Sequence, residues 1–99
     1  VYSSLGGDPD LGELVEMFVD EMGERIDTLQ RAFDAGDSEK LRTLAHQLKG
    51  AAGSYGFAVI TDAAFAVESA VRRQSTVSQV EESLADLISL CRRARAGTE

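Results

Sequence analysis

The chain of 99 residues has one cysteine, one histidine and one proline. A single cysteine, Cys91, rules out an internal disulfide framework and fits a reducing, cytoplasmic setting. A single histidine, His46, rules out multi-histidine metal sites, and no metal ligation is expected. Basic side chains are scarce: 10 Lys and Arg stand against 17 Asp and Glu, for a net charge of −7. That balance argues against nucleic acid or an anionic membrane as the partner. No apolar run approaches the roughly 20 residues of a bilayer-spanning helix. Length allows one small domain with one core. The composition, 43% hydrophobic and 27% charged, is that of an ordinary folded domain. Val1 stands where a methionine would, which predicts a piece of a longer protein.

The lone proline, Pro9, leaves the rest of the chain without an obligate helix breaker. Asp8-Pro9 reads as an N-cap followed by proline at the first helical position. Leu11, Leu14, Val15, Phe18, Met22, Ile26, Leu29 and Phe33 follow at spacings of three and four, predicting one long amphipathic helix over 10–35. Gly36 suits the position just past its end. Asp37-Ser38 offers a cap for a second helix over 38–54, with Leu41, Leu44, Ala45, Leu48, Ala52 and Tyr55 on its apolar stripe. Ile60, Ala63, Ala64, Val67 and Val71 mark a third over 58–73. A fourth, over 77–95, opens on a capping box made by Thr76 with Gln79 or Ser78 with Glu81. Its core face carries Val80, Leu84, Leu87, Ile88, Cys91 and Ala94. No period-two run suggests a strand. Short connections make successive helices antiparallel neighbours, so the expected fold is all-α, an up-down-up-down four-helix bundle, with the tail Ala96–Glu99 frayed.

The segment His46 to Phe57 departs from this ordinary pattern. Gly50 and Gly53 lie inside the second helix, where each costs about 1 kcal/mol relative to alanine. On a wheel of about 100° per residue, His46, Lys49, Gly50 and Gly53 share a stripe beside the apolar face. The imidazole is thus flanked by residues without side chains, and something large can approach it closely. Lys49, three residues on, lies on the same side as the ring. If the chain reverses at Phe57, His46 stands eleven residues before the turn and Glu68 eleven after it, at one height in an antiparallel pair. A carboxylate there accepts a hydrogen bond from His46 Nδ1–H and leaves Nε2 unprotonated and nucleophilic. An exposed, oriented imidazole with a nearby ammonium and no substrate pocket suits taking a phosphoryl group from a protein partner, with Lys49 offsetting its charge.

At Ala45-His46-Gln47-Leu48-Lys49-Gly50-Ala51-Ala52, followed by Gly53 and Gly56-Phe57, the sequence resembles the histidine-containing phosphotransfer (HPt) domains of two-component phosphorelays. The family pattern is His-x-Leu-Lys-Gly, then small residues, then a turn of glycine and a hydrophobic residue. The resemblance implies a helical bundle in which His46 is phosphorylated, Lys49 assists and Gly50 gives clearance. Many members carry Glu or Gln at the position of Glu68 as the ring's partner. It also implies a carrier and not an enzyme in its own right. Receiver-domain aspartates would be donor and acceptor, the receiver would supply Mg²⁺, and this chain would bind no cofactor. Gly50, Gly53, Gln47 and Phe65 are expected on the partner-facing surface, and the domain is expected to be monomeric.

Alternatives stand beside these readings. One alternative is that the parent protein is a chemotaxis-type histidine kinase, with this chain as its phosphoacceptor domain; another is that the chain is a helical interaction module that is never phosphorylated. Gly53 equally suits close helix packing, Glu68 an acidic surface, and Phe65 packing on the first helix. Phe57 suits a turn core, and Cys91 a small buried hydrophobe. Ala52-Gly53-Ser54-Tyr55-Gly56 is no nucleophile elbow, because a helix and not a strand enters it. The three glycines lack the strand and the Gly-Lys-Ser/Thr of a phosphate-binding loop.

Overall fold

The computed structural model of the chain describes residues 2–4 and 10–95. Five helices follow one another: α1 (Gly12–Asp20), α2 (Met22–Asp34), α3 (Ser38–Ser54), α4 (Ala58–Arg72) and α5 (Val77–Arg92). No strand occurs among the described residues; one isolated bridge pairs Tyr2 with Arg95. The Asp8-Pro9 cap and the tail Ala96–Glu99 lie outside the described residues.

The single helix expected over 10–35 is two. Glu21 interrupts it with φ −80° and ψ −9°. The interruption is shallow: the Glu21 N–H still donates to the Met17 carbonyl at 3.1 Å, and the Arg25 N–H to that of Glu21 at 3.2 Å. Gly23, two residues on, weakens helical preference at this joint. The apolar stripe is also narrower than its spacing suggests. Leu14, expected on the core face, is 42% exposed, and Met17 beside it is 53% exposed. Val15, Phe18, Met22, Ile26 and Leu29 do enter the core.

Local signals explain the other boundaries. Asp37 caps α3 by accepting from the Lys40 N–H at 3.1 Å. Of the two candidate boxes before α5, Thr76 with Gln79 forms: the Gln79 N–H donates to Thr76 Oγ1, and the Thr76 N–H to Gln79 Oε1. α5 ends at Arg92, three residues short of the expected bound. The turns after α2, α3 and α4 close in one way, each by a paired 6→1 and 5→2 hydrogen bond around a residue of positive φ. That residue is Gly36 at 70°, Gly56 at 79° and Gln74 at 54°. Glycine meets this demand without strain and glutamine does not.

Around the core, α2 packs on α3 and α5, α3 on α4, and α4 on α5, closing a ring of four helices. α1 extends α2 and lays Phe18 over the α3–α4 turn, with ring centroids 5.0 Å from Tyr55 and 5.6 Å from Phe57. Phe57 is buried at this turn, as expected of a turn core. The N-terminal residues close the same end: the Ser4 N–H donates to the Gly56 carbonyl at 2.9 Å, and the Ser3 hydroxyl to that of Tyr55. No helix of the described residues is long and apolar enough to cross a membrane.

Candidate functional site

α3 turns its apolar stripe (Leu41, Ala45, Leu48, Ala52) into the core and its neighbouring stripe outward. His46 stands on that outward stripe with 63% of its side chain exposed. Gly50 and Gly53 follow it, both exposed. A methyl group built on Gly50 meets nothing within 4 Å. Packing inside the chain therefore gives no reason for glycine in the middle of α3, where alanine is favoured by about 1 kcal/mol. Gly53 is different: a methyl there lies 3.5 Å from Thr61 Oγ1 on α4, so this glycine borders the seam between the helices.

α4 presents Glu68 opposite the histidine. Its side chain is 2% exposed, on the seam beside the core residues Ala64 and Val67. A buried carboxylate is costly unless its oxygens are paired. Both are. Oε2 lies 2.8 Å from His46 Nδ1, and Oε1 accepts from Lys49 Nζ at 2.8 Å. The Lys49 ammonium beside it, helped by the bond to His46, holds the Glu68 carboxyl below its ordinary value, against the opposing pull of burial. An ionised Glu68 can only accept, so Nδ1 is the donor in this contact, and a neutral ring then keeps its lone pair on Nε2.

Lys49 itself is only 29% exposed. Its ammonium sits 5.2 Å from the centroid of the Phe65 ring as well as on Glu68. Sequence spacing directs this charge toward a phosphoryl group on the histidine; in the structure it bonds Glu68, the carboxylate that also meets His46 Nδ1. Phe65 is 51% exposed and lies beside this cluster, not packed onto the first helix. Gln47 is exposed at the edge of an open groove between α2 and α3, which Glu24, Asp27 and Arg31 also line. Cys91 is buried on α5, and burial pushes its thiol up to about 11. Among the described residues no group of three or more His, Cys, Asp or Glu side chains is placed to hold a metal ion.

Two contacts escape the sequence reading. The bond between Lys49 and Glu68 was hidden behind the stronger expectation for Lys49. Thr61, whose hydroxyl donates to the Lys49 carbonyl at 3.3 Å, carries no signal of its own. Counting from Phe57 finds it: Thr61 is as far after the turn as Gly53 is before it.

The family model of the Hpt domain matches residues 13–97. The chain belongs to the Hpt domain family. No curated protein and no solved structure matches it. Membership gives this chain a place in histidine phosphotransfer within two-component signalling. Hpt domains are phosphotransfer carriers, and the family interacts with receiver domains. The all-helical architecture agrees with the Hpt fold.

Proposed function

We propose that His46 is the phosphoacceptor of this Hpt domain, taking a phosphoryl group from a receiver aspartate and passing it to another. The observation that carries this is the 2.8 Å contact from His46 Nδ1 to the buried Glu68 carboxylate. It leaves Nε2, on a ring mostly open to solvent, as the free nucleophile. The Nε2 lone pair attacks phosphorus as the P–O bond to the aspartyl carboxylate breaks, and that carboxylate leaves with the bonding electrons. The Nδ1 proton stays in place, and the cationic phosphorylated ring is balanced by Glu68. Return transfer reverses each step. Mg²⁺ belongs to the receiver in this reading, and catalysis is positioning and charge balance. Lys49 holds Glu68 ionised before transfer and is near enough along α3 to face the phosphoryl oxygens afterwards. Gly50 gives the receiver room, and Gln47, Gly53 and Phe65 border the surface it covers. The ring of helix contacts supports an up-down-up-down bundle in which α1 and α2 share one arm.

The test is transfer from a panel of receivers phosphorylated by a small phosphodonor in Mg²⁺. Acid-labile, base-stable label on the wild type, absent from His46→Gln with an unchanged helical circular dichroism spectrum, is the expected result. Label that persists on the variant overturns the assignment.

A further inference from the structure

Three contacts between α3 and α4 share one register. His46 meets Glu68, Lys49 meets Phe65, and Gly53 meets Thr61. The members of each pair are equally far from Phe57: eleven, eight and four residues on either side. The pairs differ in what they hold. His46, Lys49 and Phe65 contribute side chains that turn about their own bonds. Thr61 contributes a short, β-branched side chain, stiff at its first torsion, bonded to a main-chain acceptor, the Lys49 carbonyl at 3.3 Å. The bond therefore ties a short, stiff side chain of α4 directly to the backbone of α3.

Gly53 lies beside that bond, and a methyl group built on it would rest 3.5 Å from Thr61 Oγ1, an ordinary contact. In an α-helix the carbonyl of residue 49 faces the N–H of residue 53. Thr61 therefore reaches this carbonyl at the level of Gly53. Thr61 and Glu68 are seven residues apart on α4, and Gly53 and His46 are seven apart on α3, so both pairs lie on one seam about two turns from each other. A slip of one residue between the helices moves the carboxylate by about 1.5 Å along the axis. The window for a good hydrogen bond is only about 0.5 Å wide.

We infer that Thr61 is a positioning residue: its hydroxyl, bonded to the Lys49 carbonyl beside Gly53, sets the α3–α4 register that delivers Glu68 to His46 Nδ1. Thr61 hydrogen-bonds to the Lys49 carbonyl and not to the ring. It acts through Glu68 on the tautomer of the ring, and so on the fraction of molecules with a free Nε2.

The test is the ¹⁵N spectrum of the His46 imidazole at about pH 8, together with the rate of phosphotransfer, in Thr61→Val and Thr61→Ser. In the wild type the proton resides on Nδ1. Thr61→Val is expected to move a measurable part of it to Nε2 and to slow transfer roughly two- to tenfold, the range of one side-chain hydrogen bond. Thr61→Ser, which keeps the hydroxyl, restores both. Adding Thr61→Val to Glu68→Ala, which removes the acceptor through which Thr61 acts on the ring, is expected to slow transfer little further. A wild-type tautomer and rate in Thr61→Val, whatever its melting temperature, overturns the assignment, and so does additivity with Glu68→Ala. Thr61→Ala replaces the valine variant if that one does not fold. The kinetic arms rest on His46 being the phosphoacceptor; the tautomer arm does not. A tautomer that shifts in a chain that takes no phosphate would sink the proposed function and leave the role of Thr61 intact.

Discussion

Replacing Gly50 by alanine separates stability from function in opposite directions. Gly50 is the thirteenth of the 17 residues of α3, well inside the helix. A methyl group there touches nothing of the chain within 4 Å. The substitution therefore recovers the helical preference of alanine, about 1 kcal/mol, with no steric cost. For a domain of this size that corresponds to a rise of about 4–8 °C in Tm. If a receiver packs against the bare backbone beside His46, the same methyl overfills that interface. Overpacking of a close-fitting contact costs about 1–3 kcal/mol, or roughly five- to 150-fold in affinity. Thermal unfolding followed by circular dichroism reads the first effect, and receiver titration with single-turnover transfer reads the second. Gly23→Ala is the control: its methyl also meets nothing, but it lies on α2 near the joint at Glu21. It is expected to stabilise less and to leave transfer unchanged. A Gly50→Ala protein that is more stable and transfers at the wild-type rate would refute the clearance role. A lowered Tm would refute the reading of open space above Gly50.

The remaining predictions concern charge, strain and reactivity. Glu68 has a folded-state pKa below 4.5, so the unfolded chain takes up its proton first as the pH falls. The stability this gives is fully present above about pH 4.5 and is lost as pH drops through the folded value. The urea midpoint of the wild type should therefore lose its advantage over Glu68→Gln as the pH falls below about 4.5; a constant gap refutes the depressed carboxyl. Gln74 closes the turn after α4 at φ 54°, where Gly36 and Gly56 close the other two. Gln74→Gly is expected to raise stability by about 1 kcal/mol in urea titrations, and a loss would show that the glutamine side chain offsets its backbone strain. Cys91, buried and with its thiol near 11, should resist iodoacetamide at neutral pH until the protein unfolds. Rapid alkylation of the folded chain would contradict its place in the core.

Much of the site is legible in the sequence because its geometry follows from counting. One short turn at Phe57 makes α3 and α4 mirror each other in residue number, which puts Glu68 opposite His46. The caps at Asp37 and Thr76 are equally local and readable. What periodicity does not reveal depends on neighbours distant along the chain. Leu14 keeps the helical spacing of a core residue, yet it lies in α1, outside the ring of four helices that encloses the core. Spacing also places Lys49 beside the histidine without saying which anion it prefers. Glu68, buried and needing a second partner, decides that. The joint at Glu21 is similarly silent, since Gly23 lowers helical preference without marking where the break falls.

Every contact of the site falls between His46 and Glu68, within one hairpin of two helices and a tight turn. Of the contacts that close the ring, only the one between α2 and α5 joins helices far apart in the chain. Folding speed follows the sequence distance of contacts, so the α3–α4 hairpin can assemble from nearby segments before α5 docks on α2. The histidine and its carboxylate would then meet early, and the slow step of folding would lie elsewhere. Substitutions at the α2–α5 seam should mainly raise the unfolding rate, while those along the Gly53–Thr61 seam should slow folding itself.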